Sequence, residues 1–209
     1  LTTEEADVMP PAVPISHGDE GDRPDELANP YTSGDTDPRF DELVSRFVEH
    51  WGVMARSWGI NASMGELFAL LYITGGDWTA EELTKRLHVS RGNVSMNLRE
   101  LLAWGVVRKV HHQGERREYF RAEPEVWTLF RRILAERKKR ELDPTRDVLD
   151  EVSRATLDQT SMASIRERVE SLRSFFSLID RISSRMLELD PKEISDLGQL
   201  LNDSSESPL

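Results

Sequence analysis

The sequence predicts a mainly α fold interrupted by one short β hairpin, and three observations predict it. Apolar residues recur with the helical period through most of the chain from Phe40 to Leu189. Cap and stop signals divide that pattern into separate helices. Only between Val106 and Ala122 does the period fall to about two, on either side of a charged tip.

Composition sets the frame for these elements. A chain of 209 residues, 38% hydrophobic and 31% charged, is large enough for one or two domains of about 100 to 200 residues each. The longest apolar run, Leu67 to Ile73, is seven residues, against the roughly 20 that a membrane-spanning helix needs. No membrane partner is expected. Glu4, Glu5 and Asp7 stand where a secretory signal would carry basic residues, and no apolar stretch follows them. The absence of cysteine removes disulfides, thiolate metal sites and thiol nucleophiles, which suits a reducing interior. A cytoplasmic protein without cofactor or metal is the expectation.

The net charge of -11 conceals a reversal of sign along the chain. Residues 1–38 hold ten acids against Arg23 alone, residues 39–140 hold eighteen bases and thirteen acids, and residues 141–209 hold eight bases and fifteen acids. The middle third is therefore the place for a polyanion.

Taken in order, residues 1–38 contain six of the ten prolines and few large apolar residues, so an acidic disordered tail is expected there. Asp37-Pro38 supplies a cap and a first-turn proline. Phe40, Leu43, Val44, Phe47, Val48, Trp51, Met54, Ala55 and Trp58 then mark one helical face for about five turns. Ser63-Met64-Gly65-Glu66 reads as a capping box for an apolar helix that Gly75-Gly76 stops. Thr79 to Glu82 is a second box, opening a short helix that ends near His88. Ser90 caps the next helix, from Arg91 to Trp104, with Gly105 at its end and Val94, Leu98, Leu101 and Leu102 facing inward.

Val106 to His111 and Glu118 to Ala122 are the expected strands, joined by His112 to Arg117. Pro124 is expected to begin another helix, and Asp143-Pro144 to break it. A helix follows over about 145–158, and a long one from Ser161 to Leu189, in which Met162, Ile165, Val169, Leu172, Phe176, Ile179, Ser183 and Met186 form a heptad seam. Pro191 ends it. Ile194, Leu197, Leu200 and Leu201 mark a short amphipathic close before a disordered tail over 202–209.

Two short capped helices joined by a tight turn, followed by a charged hairpin, have the layout of a winged helix-turn-helix. Ser90 and the start of its helix can meet a phosphate, and Gly92 permits close approach. Arg91, Asn93, Ser95, Met96 and Arg99 form the outer face that a major groove would receive. Arg116 and Arg117, after a turn at Gly114, can reach the neighbouring minor groove or its phosphates. Nine Lys or Arg against three acids between residues 84 and 121 supply the counterion-release term. Each piece alone is ordinary surface polarity; their order and shared sign point to double-stranded DNA.

Ser90-Arg91-Gly92-Asn93-Val94-Ser95-Met96-Asn97-Leu98-Arg99-Glu100-Leu101, then Trp104-Gly105-Val106-Val107-Arg108-Lys109-Val110 and Gly114-Glu115-Arg116-Arg117, closely resembles the GbsR branch of the MarR-type transcriptional regulators. The resemblance covers residues 39–140 and, more loosely, the helices after them. It implies a dimeric, cytoplasmic DNA-binding regulator, usually a repressor, with its recognition helix at 90–104 and its wing at 111–118. Some members respond to choline-like osmolyte precursors, but no motif here carries that ligand over.

Enzyme readings find no support, since G-x-S-x-G, a P-loop and H-E-x-x-H are all missing. His111 and His112 would point to opposite faces of a strand and make a poor metal site. The competing class is a helical protein-interaction module whose active surface is the heptad seam. That seam, through Ile165, Val169, Leu172, Phe176 and Ile179, serves either an intramolecular bundle or a homodimer, and the dimer is preferred because palindromic sites need two-fold symmetry. The helix over Phe40 to Trp58 is expected to join the interface. A small-molecule effector is expected where that helix meets the lobe, lined by Trp51, Trp58, Trp127 and Phe130, whose faces suit a quaternary ammonium group. The resulting division is a tail (1–38), a DNA-binding region (39–140), a helical dimerisation region (141–201) and a tail (202–209).

Overall fold

A computed structural model describes residues 37–156 and 162–190, together with 192, 193 and 196. The acidic segment up to residue 36, the stop at Pro191, the close at Ile194, Leu197, Leu200 and Leu201, and the tail over 202–209 lie outside the described residues.

Helix α1, Pro38–Ser57, opens as its sequence predicts: the Asp37 carboxylate accepts the Arg39 N–H at 2.9 Å and Pro38 fills the first turn. Its Val44, Val48 and Ala55 pack inward onto α2, Ala62–Thr74. The cap of α2 differs from expectation. Asn61, not Ser63, is the cap, its Oδ1 accepting the Ser63 N–H at 2.9 Å, because the chain leaves α1 in a tight turn that closes with the Ile60 N–H on the Ala55 carbonyl. Gly65, expected inside a capping box, instead sits where the two helices cross. A Cβ there would lie 2.5 Å from the Ala55 Cβ and 3.0 Å from the Trp51 carbonyl oxygen. With Met64, Leu67, Phe68, Leu70 and Leu71 all buried, α2 is the central helix of the lobe.

Strand β1, Trp78–Thr79, leads into α3, Ala80–Leu87, through the expected capping box: Thr79 Oγ1 accepts the Glu82 N–H, and Glu82 accepts the Thr79 N–H at 2.7 Å. Helix α4, Arg91–Ala103, follows a turn at His88 and is capped by Ser90. The wing strands β2, Val107–Val110, and β3, Tyr119–Ala122, pair antiparallel with Lys109 opposite Phe120. Beyond the expected hairpin, β1 adds a third strand on the far side of β3, with Trp78 opposite Phe120 and Thr79 opposite Tyr119. Two residues are too few to show a period in sequence. The buried Trp78 indole donates to Thr74 Oγ1 at 2.9 Å and joins the sheet to the end of α2.

Helix α5, Val126–Arg137, starts one residue after Glu125, whose carboxylate accepts the Trp127 and Thr128 N–H groups, and not at Pro124. The predicted break at Asp143-Pro144 does not occur. A wide π turn, Lys138–Leu142, carries the chain directly into α6, Asp143–Thr156, with the Asp143 N–H reaching back five residues to the Lys138 carbonyl. Proline lacks an N–H and crowds the carbonyl four residues before it; the wider turn absorbs both defects without ending the helix.

Helix α7, Ala163–Glu188, runs antiparallel to α6, and polar groups fill the contact between them. Arg173 bonds Asp150 at 2.7 Å, Arg146 bonds Asp180 at 2.7 Å, and Ser153 donates to Glu170 at 2.5 Å. Lys138 of the π turn reaches Asp143 at 2.7 Å and Asp180 at 2.9 Å. The seam is therefore corrected: Val169 and Ser183 are buried within the single chain and Phe176 and Ile179 are half-buried, whereas Ile165 and Leu172 face outward. A straight helix drifts off a strict heptad, and the exposed apolar surface keeps Ile165 and Leu172 of the seam but continues through Phe175, Leu178 and Ile182, with Val148 and Val152 exposed on α6. Among the described residues no helix is long and apolar enough to cross a membrane.

Candidate nucleic-acid interface

The reading head is built on α4. Ser90 Oγ accepts the Asn93 N–H at 3.2 Å and keeps its own proton for an outside acceptor. Val94, Leu98 and Leu101 anchor the helix in the core, leaving Arg91, Gly92, Ser95, Met96 and Arg99 exposed. Gly92 fills no internal need, since a Cβ there would meet only Ser90 Oγ at 4.0 Å. Asn93 is half-buried, not free: its Oδ1 accepts from the Asn97 amide at 2.9 Å, and Asn97 is only 1% exposed. The sequence reading missed Asn97, although a polar residue one turn after Asn93 and beside Leu98 was the available signal.

The wing stands beside this helix. Its tip turns at Gly114, where φ is +86°, a conformation glycine adopts without strain. Arg116 and Arg117 are exposed there. A cleft of about 480 Å³ separates wing from helix, with Ser95 and Arg99 on one wall, Lys109, Arg117 and Glu118 on the other, and Leu98 among its lining. Glu81 borders the cleft, and its hydrogen bond from Lys85 holds the carboxyl below its usual range. None of Arg91, Arg99, Arg108, Arg116 and Arg117 makes an ion pair among the described residues, whereas Arg86, Arg121, Arg132 and Arg140 are paired. Arg91, Arg99, Arg116 and Arg117 are the unneutralised cations that a phosphate backbone would meet, whereas Arg108, next to the cleft-lining Lys109 on β2, points to the other face of the sheet.

The base of the wing is fixed by a cluster that the sequence reading did not foresee. Asp77, 6% exposed, accepts from Arg121 Nε at 2.5 Å and Nη2 at 2.6 Å, and its Oδ2 lies 2.9 Å from His112 Nε2. The His112 ring packs edge-on against Tyr119, whose hydroxyl donates to Glu115. That bond pushes the phenol above its usual range. His111 is exposed and stands apart, and no cluster able to hold a metal occurs among the described residues. Thirty-five residues separate Asp77 from His112, so no local spacing could have announced the cluster.

The four aromatics expected to line an effector pocket are not brought together. Trp51 packs into the lobe against Phe47 and Phe68, with ring centroids at 5.6 and 6.3 Å. Trp127 and Phe130 face one another at 6.1 Å on α5 and line neither cavity described here. Trp58 alone borders a cavity, of about 130 Å³, and its companion there is Trp104 from the end of α4. Arg137 lies 5.6 Å from the Trp58 ring centre and Arg140 5.1 Å from that of Trp104. Glu100, Glu136 and Glu141 complete the polar lining, and the Trp104 Nε1 proton is buried with no acceptor among the described residues.

A capped recognition helix, a basic wing and a fixed wing base together define a winged helix-turn-helix unit. Residues 58–118 match the MarR family model. The chain is 27% identical to the HTH-type transcriptional regulator MmpR5 of Mycobacterium tuberculosis over 146 residues, 69% of this chain and 84% of that protein. It is 22% identical to the HTH-type transcriptional repressor GbsR of Bacillus subtilis over 137 residues, 60% of this chain and 76% of that one. Among solved structures, the crystal structure of a transcriptional regulator superposes with a TM-score of 0.55 at 26% identity, covering 70% of this chain and 96% of the other. The chain is thus similar to MarR-like transcriptional regulators, GbsR among them.

Proposed function

We propose that this protein is a dimeric repressor that places two copies of α4 in successive major grooves and is released by a small-molecule effector. The observation that carries the DNA contact is the face formed by α4 and the wing, where Arg99 and Arg117 line the cleft, Arg91 and Arg116 are exposed beside them, and none of the four has a carboxylate partner among the described residues. Arg91 and Arg99 are assigned to base edges or phosphates and Arg116 and Arg117 to the flanking backbone or minor groove. Selecting bound fragments from genomic DNA, then measuring affinity against salt, tests the reading. A steep negative slope on a selected palindrome supports it. No binding to any duplex at low salt leaves the helical interaction module in its place.

The exposed apolar residues that recur along α7, with Val148 and Val152 on α6, support two-fold pairing, because an apolar stripe of this kind calls for a cover. Since the four aromatics expected to hold the effector are not brought together, it is assigned to the cavity between Trp58 and Trp104. Its indole faces already hold guanidinium groups, and its three carboxylates suit a cation. A small organic cation that displaced Arg137 or Arg140 would shift the π turn relative to the end of α4, and it would favour one spacing of the reading heads. Titration of choline, glycine betaine and apolar acids, followed by tryptophan fluorescence and operator release, tests this. Silence from every ligand class overturns it.

A further inference from the structure

The segment before α1 has a charge opposite to the reading head and is attached beside it. Residues 1–36 carry nine Asp or Glu and one base, Arg23. Their attachment point is fixed: in the first turn of α1, Asp41 accepts from Arg86 Nη2 at 2.8 Å, and the same guanidinium nitrogen donates to Ser45 Oγ at 3.0 Å. Arg86 closes α3, only four residues before the Ser90 cap of α4. A stretch of 36 residues spans at most about 120 to 130 Å, and α4 and the wing are well within that radius.

We infer that residues 1–36 dock on the cations of α4 and the wing, as an intramolecular competitor that any duplex must displace. The acid-rich C-terminal third, with fifteen acids against eight bases, repels such a segment. Arg91, Arg99, Arg116 and Arg117 are exposed and lack carboxylate partners among the described residues, so they can receive it. Tethering places the acids at an effective concentration of about millimolar order. Since the competition acts on the unbound protein, it weakens specific and nonspecific DNA by the same factor, and salt screens it. The inference rests on the reading of this face as the DNA-binding surface.

Two measurements on the full chain test it. In the first, the nine acids of residues 1–36 are replaced by their amides, Asp→Asn and Glu→Gln. Affinity for mixed-sequence duplex at low salt is expected to rise about tenfold, and the gain to vanish at high salt as the Debye length shrinks. In the second, Ser16→Cys introduces a single spin-label site into a chain that contains no cysteine. Amide signals of 90–99 and 111–118 are expected to broaden, and to recover when duplex is added. A gain in affinity without that broadening overturns docking in favour of long-range repulsion. Broadening without a gain overturns the competitor role. If neither protein binds any duplex, the DNA reading fails and the competitor role with it, while broadening still reports whether the contact exists.

Discussion

At the scale of single residues, Arg99 and Asn93 separate two effects that the sequence alone would have merged. Both lie on the outer half of α4, yet Arg99 makes no ion pair among the described residues and Asn93 bonds the buried Asn97. Arg99→Ala is expected to weaken operator binding by about 1 to 3 kcal/mol without moving the melting temperature, as fluorescence anisotropy and thermal unfolding would show. Asn93→Ala should lower stability as well, by about 1 to 3 kcal/mol, because it leaves the Asn97 amide buried without its acceptor. Asp77 gives the sharper stability test. Asp77→Ala strands Arg121 at the base of the wing, and a loss of about 2 to 4 kcal/mol is expected in denaturant unfolding, discounted for the partial exposure of the arginine.

Elements depend on what lies between them. Gly65→Ala would press a methyl group against Ala55 and the Trp51 carbonyl, and backbone cannot yield as a flexible side chain can. A loss of about 1 to 3 kcal/mol is expected in thermal or denaturant unfolding. The α6–α7 pair is held differently, by charge. The ion pair with Lys138, with Arg146 beside it, holds the Asp180 carboxyl below its usual range, and the hydrogen bond to Asp143 together with the ion pair to Asp180 holds the Lys138 ammonium above its own. For a depressed carboxyl the contribution to stability is present above the unfolded pKa of about 4 and is lost as pH falls through the folded value. For the raised lysine the contribution is complete below about pH 10.5 and is lost as pH rises through the folded value. Helicity of this pair should therefore decline first at the acid end, below about pH 4, and Asp180→Asn should flatten that limb in circular dichroism.

At the scale of the whole molecule, the proposed dimer has a second copy covering the outer stripe of α7. Phe175, 56% exposed, and Leu172, 49% exposed, are the proposed anchors. Phe175→Asp is expected to give monomers in sedimentation at micromolar concentration and to abolish tight binding to a palindromic site, since an unpaired charge would be desolvated in the interface. Phe176 is half-buried within the single chain, so Phe176→Asp should cost folding stability before it costs assembly. A wild type that sediments as a monomer at that concentration sinks the dimer.

The sequence by itself determined what depends on neighbours a few residues apart. The Asp37, Thr79 and Ser90 caps, the glycine stop after α2, the inner face of α4 and the Gly114 turn all act within one or two helical turns or a single hairpin. The reading head was legible for this reason, together with the basic sign of the middle third. What tertiary structure decided depends on residues distant in sequence. Asp77 finds His112 and Arg121 across the sheet, Trp104 and not Trp51 becomes the companion of Trp58, and β1 joins a hairpin forty residues later. The same holds for the heptad seam. Its period fixes a helical face, but the polar groups of α6 claim part of that face, and only the packed structure shows which apolar residues remain for a partner.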